Sequence, residues 1–256
     1  MIEKIRGIHP IGRMIILGTL FSKTASFMAV PFLAFYLTAV KGFSPAVTGA
    51  IIGSSAVIGL FGGFIGGHLS DRYGRDKLMV FGMVLWSFVF LGFSIANHVG
   101  IFFLLNIVNG IARTFFEPSS RALLSDVIQQ EKKLMVFNLR YAAINVGAAI
   151  GPFLGLKLGG AESGIAFQIA AGIYFLYAVA LAVILPKYHS DYKRNGTTNR
   201  ISFSTTLATI KQDTILLLAI VGIILGVAAS PNSRLHFHNI LLKRHTSEME
   251  LLFTLA

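Results

Sequence analysis

Long apolar runs and short polar joints alternate along this chain. Met14–Val40, Val47–Leu69, Leu78–Ala96, Ile101–Leu124, Leu134–Leu158 and Ile165–Leu185 each approach or exceed the roughly 20 apolar residues that a membrane-spanning helix needs. Ile215–Ala229 is a seventh and shorter run. The first run is too long, too polar and too poor in cleavage-site features for a signal peptide. The pattern predicts an all-α, polytopic membrane helix bundle in three parts. A six-helix bundle covers residues 1–185, a polar linker 186–213, and a short seventh helix with an irregular tail 214–256.

Composition supports a membrane protein. Of 256 residues, 54% are hydrophobic and 13% charged, where soluble domains carry about a quarter. There is no cysteine, which excludes a disulfide framework and a Cys-based metal site. We expect no metal and no cofactor. The net charge of +11 would suggest nucleic acid in a soluble protein. Here the basic residues sort by side instead. Lys4, Arg6, Arg13, Arg72, Arg75, Lys77, Lys132, Lys133, Lys187, Lys193, Arg194, Arg200 and Lys211 flank the runs on one side, against Lys41 and Lys157 on the other. Basic residues collect on the cytoplasmic side. The expectation is a multi-pass protein of the cell membrane, bathed in lipid and not bound to nucleic acid, with N-terminus and linker in the cytoplasm. Arg234, Lys243 and Arg244 break this asymmetry after the seventh run. "SRLHFHNILLKRHTSEMELLFTLA" does not read as an eighth span, so a truncated or frameshifted end is expected. His236, His238 and His245 in that tail are more simply read as a tail than as a metal site.

Two stretches carry a family resemblance. "GHLSDRYGRDK", Gly67 to Lys77, resembles the loop between the second and third helices of the major facilitator superfamily, which reads Gly-x-x-x-Asp-Arg-x-Gly-Arg-x-Lys/Arg. Gly67, Asp71, Arg72, Gly74, Arg75 and Lys77 occupy its positions. Gly74 suits a tight reversal, and Asp126 at the end of the fourth run is a candidate ion partner for Arg72 or Arg75. The resemblance implies that this loop steadies one conformation of a transporter. "GAAIGPFLG" in the fifth run is similar to the Gly-x-x-x-Gly-Pro-x-x-Gly motif of the proton-coupled drug antiporters in that superfamily, on Gly147, Gly151, Pro152 and Gly155. Leu156 stands where the motif usually has a further glycine. Gly147, Gly151, Gly155 and Gly159 form a small-residue ridge, the kind of surface that lets helices approach closely in lipid. Gly49/Gly53, Gly62/Gly66 and Gly63/Gly67 form similar ridges on the second helix. The resemblance implies that both helices meet a C-terminal half, so here the ridges are expected to face lipid or another copy of the chain.

Charges inside a span are costly and usually functional. Of eleven acidic residues, only Glu117 falls within one. Asn106, Asn109, Arg113, Glu117 and Arg121 recur every three or four residues, a polar stripe that must avoid lipid. In the family that stripe would line a central cavity with Thr19, Lys23 and Ser26 of the first helix and Asn138, Arg140, Tyr141 and Asn145 of the fifth. Burial disfavours a charged carboxyl group and a nearby guanidinium favours it. Glu117 is therefore a candidate to bind and release a coupling proton, with Arg113 tuning it. A permanent Arg113–Glu117 pair that only holds the helix is an equal reading. The family often places an arginine four residues before a glycine in this helix. That place, before Gly110, is Asn106 here.

An intramembrane protease would need paired Asp or a Ser/His dyad within spans, and a phosphate-binding glycine loop is absent, so no enzyme is expected. The resemblance implies proton-coupled efflux of small molecules or drugs by alternating access, with a C-terminal half needed for activity. The alternatives are a non-transporting membrane fragment and an importer of another small solute.

Overall fold

The computed structural model describes residues 7–158 and 164–188, within one compact unit. These residues form six long helices and, among them, no strand. Helix α1 runs Pro10–Phe35 and continues as a π-helical turn, Tyr36–Val40. It is followed by α2 (Pro45–Tyr73), α3 (Arg75–Ile95), α4 (Val99–Val127), α5 (Gln130–Lys157) and α6 (Ile165–Ile184), the last closing in a 3-10 turn, Leu185–Tyr188. A helix occurs at each of the six expected spans. Gly159, the linker beyond Tyr188, the seventh span and the tail lie outside the described residues, as does the Asp71 side chain.

The ends of the helices follow from local chemistry. Pro10 and Pro45 sit at the first turns of α1 and α2, where a missing N–H costs nothing. Ser44 caps α2 by accepting a hydrogen bond from the Val47 amide at 3.3 Å. α2 and α3 are separated by Gly74 alone, at φ +101°, a conformation that a side chain would strain. The reversal read from the sequence is thus made at Gly74. At about 1.5 Å per residue, helices of 20 to 29 residues reach roughly 30 to 43 Å, enough for a bilayer core. Five of them are long and apolar enough to cross a membrane, and the described apolar stretch of α2 is Pro45–Gly59.

Packing divides into pairs. α1 lies along α5 and α6, α2 along α4, and α3 along both α4 and α6. An aromatic layer fills the α3/α4/α6 side: Phe90 stacks on Tyr174 with centroids 5.1 Å apart, and Phe93 on Phe102 at 6.1 Å. The outer surface stays apolar, with Phe153 70% and Ile95 68% exposed. Lipid, not water, suits such a surface.

The α5 ridge departs from expectation. It faces α1 inside the bundle, not lipid or a missing half. A Cβ at Gly147 would come within 2.8 Å of the Thr24 amide nitrogen, and one at Gly151 within 2.8 Å of the Met28 nitrogen and the Thr24 oxygen. At Gly155 it would strike the Phe32 ring and the Met28 carbonyl. Backbone meets backbone because no side chain intervenes. On α2, Gly62 and Gly66 are likewise closed by Thr114 of α4, whereas Gly49, Gly53 and Gly67 face open space.

Candidate functional site

Asn106, Asn109 and Glu117 of the α4 polar stripe turn inward, whereas Arg121, expected with them, does not. Glu117 sits where α4 faces both α1 and α5. Its Oε1 accepts a hydrogen bond from Lys23 Nζ at 2.6 Å, and its Oε2 one from Arg140 Nη2 at 2.9 Å. Arg121 stands 3.8 Å off on the outer side and is largely exposed. Arg140 is only 5% exposed and also donates to Ser120 Oγ at 3.3 Å. The expected Arg113–Glu117 pair is not formed. Arg113 lies one turn toward the start of α4, exposed, with no ion pair or hydrogen bond among the described residues. Lys23 and Arg140 reach the carboxylate because α1 and α5 come close at their glycine ridge, which brings Lys23 itself against Gly147.

Beside this cluster opens a cavity of about 180 Å³. Lys23, Ser26, Asn106, Asn109, Arg113, Glu117 and Arg140 all line it, as the sequence suggested, and so does Thr19. Tyr141, Asn145 and Asn138 do not line it. Tyr141 is 66% exposed, Asn138 and Asn145 are exposed, and Asn145 donates back to the Tyr141 carbonyl at 3.1 Å. The buried face of α5 is the one through Arg140, Ala143, Gly147, Gly151 and Gly155. A side chain one residue after Arg140 points about 100° away from that face.

The sequence did not single out Trp86, Phe90, Phe116 and Tyr174 as wall residues. Trp86 Nε1 donates to Asn109 Oδ1 at 2.8 Å, and Asn109 Nδ2 to Asn106 Oδ1 at 3.2 Å. Asn106 Nδ2 donates to the carbonyls of Ile51 and Ile52 on α2. This chain satisfies the asparagines and holds α2, α3 and α4 in register. Pairing of Lys23 with Glu117 was also missed. One signal pointed to it: five basic residues inside the predicted spans, Lys23, Arg113, Arg121, Arg140 and Lys157, against one acid, in a medium where a charge seeks a partner.

At the joint between α2 and α3, Arg75 donates to Asp126 near the end of α4. Of the two arginines considered, Arg75 makes this pair, and Arg72 lies over the Tyr73 ring at 5.5 Å. Lys77 is exposed. No metal-ligating cluster occurs among the described residues.

The sequence profile described as Major Facilitator Superfamily matches residues 15–246. The chain belongs to that superfamily. It is therefore a protein of a membrane-transporter family and not an enzyme. The MFS-type transporter YqjV of Bacillus subtilis (strain 168) is 41% identical over 223 residues, covering 87% of this chain and 54% of the relative. A Na(+), Li(+), K(+)/H(+) antiporter of Planococcus maritimus is 29% identical, covering 56% of this chain and 34% of its own length. Multidrug resistance protein 2 of Bacillus subtilis (strain 168) is 26% identical, with 66% and 42% covered. The chain spans about half the length, or less, of these relatives. The crystal structure of the nucleoside transporter NupG shares the fold, with a TM-score of 0.70 at 13% identity over 85% of this chain and 55% of that one. Among the described residues, the polar cavity beside Glu117 and the Arg75–Asp126 joint are two places where ion pairs tie separate helices together.

Proposed function

We propose that this chain forms the N-terminal six-helix half of a secondary transporter of the cell membrane, with its N-terminus in the cytoplasm. It moves a small solute by alternating access, coupled to protons through Glu117. One observation carries the reading: a single carboxylate, beside an open cavity, ties α4 to Lys23 of α1 and Arg140 of α5. A proton on that carboxylate removes the charge holding both cations. The two ion pairs then loosen together and leave two like charges facing each other, which favours a different arrangement of the three helices. Loss of the proton restores the clamp. The Arg75–Asp126 pair latches the α2–α3 joint to the end of α4 in the arrangement seen here. Efflux in exchange for protons is the direction that the names of the antiporter and multidrug relatives support.

The test uses everted membrane vesicles in which this chain is expressed together with the C-terminal half of YqjV. A pH-sensitive dye follows the proton gradient while benzoate, ethidium or potassium chloride is added. Collapse of the gradient by at least one of them is the expected result. Glu117→Gln should abolish that response while leaving exchange of the same solute down its own gradient. Full gradient-driven transport by Glu117→Gln would overturn the coupling role. Transport by this chain alone, without crosslinking between copies, would overturn the half-transporter reading.

A further inference from the structure

The cavity lining is unbalanced in charge. Among the described residues it holds Lys23, Arg113 and Arg140 against one carboxylate, Glu117. Lys23 and Arg140 are engaged with that carboxylate. Arg113 makes no ion pair or hydrogen bond among the described residues, and it lines the cavity. Two further donors are buried there without a hydrogen-bond partner among the described residues: Nε of Arg140 and the hydroxyl of Thr19, both on lining residues. Trp86, Phe90 and Phe116 add an aromatic part to the lining.

Arg113 is exposed where it lines the cavity, and the lining carries more positive than negative charge. The ligand class that such a cavity favours is an acceptor-only group with negative charge. We infer that this cavity binds a small organic anion, its carboxylate or equivalent group held by Arg113 and its apolar body against Trp86 and Phe90. This rests on the transport reading and names its substrate class. A guanidinium presents paired N–H donors that match a carboxylate edge to edge. A cationic solute would meet two excess positive charges in a medium that screens poorly. Glu117 is not free to attract it, since its oxygens already serve two cations.

Trp86 is the only tryptophan in the chain, so its emission reports on this cavity alone. The full chain in lipid nanodiscs is titrated with benzoate, benzylammonium and benzyl alcohol, which share one ring and differ in charge. Quenching by iodide and by caesium, each relative to acrylamide, reads the field without regard to solute shape. Benzoate should change Trp86 emission saturably, with benzylammonium at least about tenfold weaker, and iodide should quench more than caesium. Arg113→Gln should weaken benzoate about tenfold or more and reduce the preference for iodide, since one excess positive charge remains. Arg113→Lys should restore the preference for iodide. Arg113 makes no ion pair or hydrogen bond among the described residues, so these variants remain comparable. Benzylammonium binding as tightly as benzoate overturns the inference. So does a benzoate response indifferent to Arg113→Gln, or the absence of any benzoate response together with equal iodide and caesium quenching. Failure here leaves the proton-flux test with Glu117→Gln intact, and failure of that test leaves anion binding intact.

Discussion

Replacing Gly151 by Ala measures how tightly α5 is seated on α1. The new methyl group would lie 2.8 Å from the Met28 nitrogen, the Thr24 oxygen and Phe27 Cβ. Comfortable contact between such atoms is about 3.5–4.0 Å, so α1 must move by several tenths of an ångström, and two of the three atoms are backbone that cannot rotate aside. Overpacking of this kind costs about 1–3 kcal/mol. Alanine returns about 1 kcal/mol of helix propensity, leaving a net loss of roughly 0–2 kcal/mol. Gly49→Ala in α2 is the control, because nothing lies within 4 Å of its Cβ. That variant keeps the propensity gain and should be stabilised by up to about 1 kcal/mol. Thermal aggregation midpoints of the two variants in detergent, followed by size-exclusion chromatography, should move in opposite directions from the parent. Equal midpoints, or Gly151→Ala the more stable of the two, would refute the claim that the ridge is closed by α1.

Three further outcomes are expected. Cysteines introduced singly at Ser190 and Phe43 should react with an impermeant reagent on intact cells at position 43 and not at 190, and the reverse pattern would invert the topology. Asp126→Asn breaks a partly exposed pair with Arg75, so stability should change by no more than about 1 kcal/mol while transport by the complemented protein falls. Normal transport would show that the pair latches nothing. Glu117→Gln should lower folded yield, since breaking a buried pair typically costs about 3–5 kcal/mol, and Lys23→Met in the same chain should recover part of that loss. Additive losses in the double variant would show that the two residues do not interact.

The six helices were legible because a bilayer demands about 20 apolar residues per crossing, and each run met that length. Glu117 was legible for the same reason: one acid inside a span stands out. Its partners were not. Arg140 and Tyr141 are adjacent in α5, and both looked like cavity residues. In water the polar face of a helix marks its outside, but in lipid an apolar residue is at home on either face. The rotation of α5 about its axis is therefore weakly encoded by polarity. The glycine ridge encodes it better, since Arg140 lies on the same face as Gly147 and Gly151. The ridge announced a close neighbour without saying which, and the family resemblance pointed to the wrong one.

The pairing of helices explains why so few polar contacts matter. α1 rides on α5, with backbone against backbone, and α2 rides on α4 through Gly62 and Gly66. Those two pairs are each held by close apolar packing that has no dependence on charge. On the α3/α6 side the aromatic layer joins them. Across the cavity, the ion pairs of Glu117 join α4 to both members of the other pair. Buried ion pairs contribute little net stability when intact, because desolvation offsets attraction, yet breaking one partner is costly. Such a contact is a poor cement and a sensitive latch. Placing it across the polar junction, with rigid packing within each pair, lets a change of one charge act on the relation between the pairs and leave the pairs themselves unaltered.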